Sequence, residues 1–226
     1  ALPGIDYKRL LAPVLRPGSV ILLLQNGIGI DGRLAALFPG TTVLSGLAFT
    51  CINRTAPQRV VHSGYGQINV GARRREEYRQ GRETAALLAA AGIKCTFGGD
   101  ARCLRWKKLL WNVPFNCLSV VLGGVTTDRM MASPPVLELV RQLMGEVRAC
   151  AAAEGVRITH GDIAVMLDNT RAMQPYKTSM MIDHELGRPM EVDAILGEVV
   201  RIARRKHVPV PAMETLWRML RFYDGT

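Results

Sequence analysis

Val20-Ile21-Leu22-Leu23-Leu24 is an unbroken apolar run between Pro17-Gly18 and the polar loop Gln25-Asn26-Gly27-Ile28-Gly29, and no other stretch constrains the fold as much. It has the length of a strand, and its lack of alternation predicts burial on both faces, as in a parallel sheet. The neighbouring residues fit such a sheet. A short helix is expected over residues 6–12, another over 33–38 ended by Pro39-Gly40, and a strand over 43–49. Residues 59–62 and 67–70 read as a strand pair joined through Ser63-Gly64-Tyr65-Gly66, and Arg73-Arg74-Arg75-Glu76-Glu77 as a solvated surface turn. A helix over 83–91 closed by Gly92 and a strand over 93–97 complete an α/β region.

Beyond Asp100 the strand pattern gives way to long helical periodicity. Residues 102–122 form an expected helix kinked at Pro114, which lacks a backbone donor and crowds the carbonyl of Leu110. Ser133-Pro134 is an N-cap and first-turn pair for a helix running to Glu154, with Gly155 as its stop. Four more helices are expected over 161–173, 178–186, 191–206 and 212–222. The domain boundary is placed at Gly98-Gly99, giving an α/β domain over 1–98 and an all-α domain over 99–226.

Composition narrows the function classes. A chain of 226 residues that is 48% hydrophobic can bury a core. Its five cysteines show no C-x-x-C pair or histidine-flanked spacing, so no disulfide framework and no metal site is expected, and a reducing cytoplasm fits best. The start Ala1-Leu2-Pro3-Gly4-Ile5-Asp6 lacks a signal peptide's charged and apolar regions, and no apolar stretch reaches the ~18 residues of a membrane span. The net charge of +10 lies in short clusters with few aromatic residues, so no nucleic-acid partner is expected. The charge suits an anionic cofactor and a carboxylate substrate equally well.

Gly27-x-Gly29-x-x-Gly32 has the spacing of a dinucleotide-binding fingerprint and the strand-to-helix context that such a motif requires. No acidic residue lies between Asp31 and Glu76 to take a ribose hydroxyl, and Pro39 cuts the following helix short. The glycines are therefore read as a tight turn at the carboxyl end of a strand, where open α/β sheets take their ligands.

Two constellations could carry chemistry. Lys108, Asn112 and Asn116 follow one another at helical spacing, so one face presents a cation and two amides among apolar neighbours. Asparagine is a poor helix former, costing up to about 0.7 kcal/mol against alanine, so the pattern is either a set of interhelical amide bonds or a polar ligand site. Ser179-x-x-x-Asp183 followed by Glu191-x-Asp193 is the second; capping and helix-start charge would explain it equally.

Together with Gln25-Asn26-Gly27-Ile28-Gly29, His62-Ser63-Gly64-Tyr65-Gly66 and the Trp106 to Asn116 segment, these residues make the chain resemble the ketopantoate reductase (2-dehydropantoate 2-reductase) family. The resemblance implies a Rossmann-type domain followed by a helical domain like that of 6-phosphogluconate dehydrogenase. It also implies NADPH as cofactor, a small 2-keto acid as substrate, and a place in pantothenate and coenzyme A synthesis; a homodimer is left open. Lys108 matches the family's catalytic lysine, the general acid toward the substrate carbonyl. Asn26 matches the loop asparagine beside nicotinamide and substrate, Asn112 and Asn116 the substrate-binding amides, and Ser179 the hydroxyl for the substrate carboxylate. Ile52 matches a position beside the cofactor, and Glu191 a carboxylate that contacts it.

Two departures accompany the match. Family members begin with a strand and a glycine-rich phosphate loop without counterpart here, so the chain is expected to be a fragment or a degenerate member. Gly123-Gly124-Val125-Thr126-Thr127 stands where the family often has a polar Pro-Asn-Gly stretch. The substrate is then ketopantoate or another 2-keto acid.

Overall fold

The computed structural model describes residues 5–56 and 58–225, except for the side chains of 53–55 and 63. Residues 1–4, which carry most of the chain start read above, lie outside the described residues. The chain divides into two compact units, with the division between Arg105 and Trp106.

The first unit is built on a four-stranded sheet in the order β1-β2-β3-β4: β1 Val20–Leu23, β2 Thr42–Ala56, β3 Arg59–Ala72 and β4 Lys94–Asp100. β1 pairs parallel with β2 and β3 parallel with β4, whereas β2 and β3 are antiparallel. The expectation for the apolar run is met in type and only half met in burial. Ile21 and Leu23 are buried, but Val20 and Leu24 are exposed, because β1 has one strand neighbour among the described residues.

The helices of this unit are α1 Tyr7–Leu11, α2 Ile30–Leu37, α3 Tyr78–Ala90 and the start of α4 Ala101–Trp111. Strand alternation assigns the faces of the sheet. Leu44, Ile68, Val70 and Ala72 form a core with Ala85 of α3, with the Tyr78 and Phe97 rings edge to face alongside. The registered pair Ser45 and Gly71 points the other way, toward α4. A side chain at Gly71 would come within 2.7 Å of the Ala101 backbone, so glycine is what lets α4 start against β3.

Two sequence expectations are corrected here. Residues 59–62 and 67–70 do not pair with each other; they are successive parts of β3, and the hairpin lies between β2 and β3. Ser63-Gly64-Tyr65-Gly66 reads as a reversal, but positive φ at Tyr65 (61°) and Gly66 (112°) makes an irregularity within a continuing strand instead. The arginine-glutamate stretch is not a fully solvated turn either. Arg75–Glu77 is a 3₁₀ turn whose buried Glu77 carboxylate accepts the backbone N–H groups of Arg73 and Arg74.

The second unit is helical. After α4 come a π-helical turn Asn112–Asn116, α5 Cys117–Val121, α6 Thr127–Ala132, α7 Pro134–Ala153, α8 His160–Arg171 and α9 Ser179–Glu185. A second π-turn Asp193–Gly197 then leads into α10 Glu198–Arg205, and α11 Pro211–Tyr223 closes the order. α7 supplies much of the core through Val140, Leu143, Met144, Val147 and Cys150. Its buried Glu146 accepts the Ala212 and Met213 N–H groups at 3.0 and 2.8 Å, capping α11. The expected kink at Pro114 is a π-turn, in which the wider backbone loop absorbs the missing donor.

Candidate active site

In the helical unit, Lys108 lies half-buried on α4, and Asn112 and Asn116 are buried at the two ends of the first π-turn. Four residues take an α-helix slightly past one full turn, so a stripe at this spacing drifts around the axis. The wider π-turn takes back part of that rotation and keeps Asn116 closer to the stripe of Lys108 and Asn112. Lys107, the adjacent cation, is committed elsewhere: its ammonium pairs with Asp162 at 2.8 Å, at the capping box of α8.

The Asn116 side-chain oxygen is buried and has no hydrogen-bond partner among the described residues. Burying an unsatisfied amide oxygen costs about 1–3 kcal/mol, which is what a group reserved for a ligand would show. The ligand-site alternative for the asparagine stripe would give this oxygen a partner.

Ser179 and Glu191 lie in the same unit, on or next to elements that contact this turn. The π-turn Asn112–Asn116 contacts both α9 and the π-turn Asp193–Gly197. Ser119 of α5 donates to the Asn116 carbonyl at 2.8 Å and lies 2.7 Å from the Thr178 hydroxyl, which caps α9 through Met181 N–H. Ser179, the first residue of α9 and next in sequence to Thr178, is half-buried. Glu191 stands just before the second π-turn and its carbonyl accepts Ile195 N–H. Asp183 accepts from the Arg188 guanidinium at 2.8 Å. Burial pushes the Asp183 carboxyl above its ordinary value; Arg188 opposes the shift and the negative charge of Glu191 adds to it.

In the α/β unit, Asn26 is half-buried in the loop after β1, and Ile52 is exposed on the part of β2 that, among the described residues, pairs only with β3. Gly27 and Gly29 have φ of 93° and 83°, the left-handed conformation that glycine adopts without strain. A phosphate cradle turns backbone N–H groups inward. Here the carbonyls of Gln25 and Gly27 turn inward instead and accept from the Arg105 guanidinium. This supports a turn at the end of a strand over a pyrophosphate cradle. Arg105 and Glu146 were not singled out from the sequence: their partners lie about 80 and 66 residues away, and no local spacing signals them.

Comparison with known proteins decides the family. The profile described as "Ketopantoate reductase PanE/ApbA C terminal" matches residues 100–224, and "Ketopantoate reductase PanE/ApbA" matches residues 3–75. The chain belongs to the ketopantoate reductase family. A 2-dehydropantoate 2-reductase from Nostoc sp. is 38% identical over 227 residues, covering 96% of this chain and 69% of the relative. The solved 2-dehydropantoate 2-reductase from Methylococcus capsulatus is 37% identical with a TM-score of 0.86, covering 98% of this chain and 71% of that one. A ketopantoate reductase from Staphylococcus aureus, described as dimeric, is 25% identical with a TM-score of 0.82, covering 95% and 71%. At 18% identity, D-mandelate dehydrogenase in complex with NADH shares the fold, with a TM-score of 0.89 and coverage of 96% and 74%. A Rossmann-like region followed by a helical one is the arrangement of ketopantoate reductases, and the family's proteins are oxidoreductases.

Among the described residues, no helix is long and apolar enough to cross a membrane, and no group of three or more His, Cys, Asp or Glu side chains is placed to hold a metal ion. The five cysteines are free thiols.

Proposed function

We propose that the protein carrying this chain reduces 2-dehydropantoate to pantoate with NADPH, a step of pantothenate and coenzyme A synthesis in the cytoplasm. The observation that carries the reading is the buried Asn116 oxygen, without a hydrogen-bond partner among the described residues, on a turn that also bears Asn112 and follows Lys108 at helical spacing. Its support in comparison is the 38% identical relative that bears the name of this activity.

On this reading residues 1–98 belong to the cofactor domain and residues 99–226 to the substrate domain, with residues 99–105 packed into the α/β unit. Asn26, Ile52 and Glu191 are assigned to the cofactor. The loop of Asn26 suits the uncharged nicotinamide end, since its inward carbonyls would repel phosphates and Arg105 already occupies them. NADPH supplies the hydride when bound. Lys108 donates the proton to the carbonyl oxygen of the substrate as it becomes an alkoxide, which gives a hydroxyl and leaves a neutral amine to be reprotonated from solvent. Asn112 and Asn116 orient the substrate by amide hydrogen bonds, Asn26 contacts it from its loop, and Ser179 donates to its carboxylate. The dimeric relative supports a homodimer as the assembly.

One observation favours a second reading, a paralogue acting on another 2-keto acid. The stretch Gly123-Gly124-Val125-Thr126-Thr127, which departs from the family's pattern, lies against Met181 of α9, the helix that starts with Ser179. The test for both is NADPH oxidation followed by the loss of its absorbance, with the full-length protein, using ketopantoate against a panel of 2-keto acids that differ in branching. Ketopantoate as best substrate supports the first reading, another acid supports the second, and no turnover of any of them would remove both.

A further inference from the structure

The Arg105 guanidinium is 3% exposed and lies wholly within the α/β unit. Nε donates to the Ser45 hydroxyl at 3.0 Å, and Nη1 donates to the carbonyls of Gln25 at 3.2 Å and Gly27 at 2.7 Å. Asp31, also buried, is 3.8 Å from Nε, beyond direct hydrogen-bonding distance, and its other oxygen is 3.8 Å from Arg73 Nε. The Nη2 group is buried without a hydrogen-bond partner among the described residues.

Burying a guanidinium costs several kcal/mol unless its surroundings compensate. An apolar side chain would fill this position more cheaply if packing were all that was needed, as Leu104 does at Gly71 and Gly98 next door. What the guanidinium does achieve is specific. Its two carbonyl partners belong to the residues on either side of Asn26, so one rigid planar group fixes the peptide before Asn26 and the peptide after Gly27. The left-handed Gly27 turns its carbonyl into that grip, and the Tyr7 hydroxyl holds the Gln25 side chain at 2.9 Å from outside.

We propose that Arg105 is a positioning residue that sets where the Asn26 side chain is presented, acting through the two carbonyls that flank it. The proposal rests on the assignment of Asn26 to the reacting site made above, and it adds a residue outside that set. Lysine cannot replace arginine in this role, because an ammonium is a point charge and does not hold two acceptors in a fixed plane.

The test is a double-mutant cycle in the full-length protein with Arg105→Lys and Asn26→Ala, together with hydrogen exchange of the loop amides. Arg105→Lys is expected to lower kcat by about ten- to a hundredfold, the scale on which a displacement of about 1 Å acts. In the Asn26→Ala background the same substitution should cost less than about threefold, because the group it positions is gone. Amides of residues 26–30 should exchange at least about tenfold faster in Arg105→Lys while those of paired β2 and β3 are unchanged. Ser45→Ala, which removes one partner of the guanidinium and neither carbonyl, should leave both readouts near wild type.

Additive losses in the cycle, or unchanged exchange of the loop, would overturn the proposal. The exchange arm needs no turnover. If the wild-type protein reduces no 2-keto acid, the reductase reading fails by itself, and loop exchange still decides whether Arg105 holds the Asn26 loop.

Discussion

The hydroxyls of Ser119 and Thr178 lie 2.7 Å apart with both residues fully buried, and they join α5 to the N-terminus of α9. Thr178 also accepts Met181 N–H at 3.2 Å, and Ser119 donates to the Asn116 carbonyl at 2.8 Å. Two short side chains thus connect the turn bearing Asn112 and Asn116 to the helix that begins with Ser179. Thr178→Val keeps the shape and removes both the cap and the hydroxyl pair. It is expected to lower stability by about 1–3 kcal/mol, read as a fall in the urea midpoint at unchanged m-value. Ser119→Ala should cost less, since the Thr178 cap of α9 survives. Equal losses would mean that the cap contributes little.

Lys108→Ala is expected to reduce turnover by on the order of a hundred- to ten-thousandfold, the usual contribution of a positioned general acid. Cofactor affinity, measured by titration of the protein with NADPH, should change by less than about threefold, because an interaction made only as the proton moves does not contribute to ground-state binding. Lys107→Met is the control on the neighbouring cation: it breaks the ion pair with Asp162 and should leave turnover close to wild type.

Asp162 gives a pH dependence whose sign is fixed. The hydrogen bond from Lys107, followed by those from Thr159, lowers its carboxyl from 3.8 to about 2. A carboxyl lowered on folding stabilises the fold fully above its unfolded value and loses that contribution as pH falls through the folded one. The stability difference between wild type and Asp162→Asn should therefore be constant above about pH 5 and shrink between about pH 4 and pH 2. Urea unfolding at stepped pH measures it. The pair is partly solvated, so the difference is expected to be small and reduced by salt. A gap that widens toward low pH would contradict the assignment.

The parts of this architecture that sequence revealed are those with a local signature. Lys108, Asn112 and Asn116 stand out because helical spacing puts them on one stripe, and Pro134 and Gly155 mark the ends of α7 through backbone preference alone. The π-turns were not legible: Pro114 announced a disturbance, but Asp193–Gly197 contains no proline at all. The hairpin was misplaced because Ser63-Gly64-Tyr65-Gly66 has the composition of a turn, while its conformation continues β3. The Arg105 clamp and the Glu146 cap of α11 depend on partners distant in sequence, and only tertiary packing shows them.

Asn116 sets stability against function in one side chain. Its buried oxygen lacks a partner among the described residues, so the folded protein bears a desolvation cost that no hydrogen bond from them offsets. Asn116→Leu removes the amide at similar volume. The midpoint of thermal unfolding should then hold or rise, although most polar-to-apolar changes in a buried helix with satisfied partners would lower it. If the oxygen is reserved for the substrate, kcat/KM for the 2-keto acid should fall by roughly ten- to a hundredfold, the loss of one buried hydrogen bond to a polar ligand. Asn116→Asp separates the contributions: it keeps an oxygen acceptor, removes the amide donor and introduces a buried charge, so it should lower stability and activity together. A leucine variant that lost stability yet kept full activity would show that the amide serves packing, and would move the substrate site away from this turn.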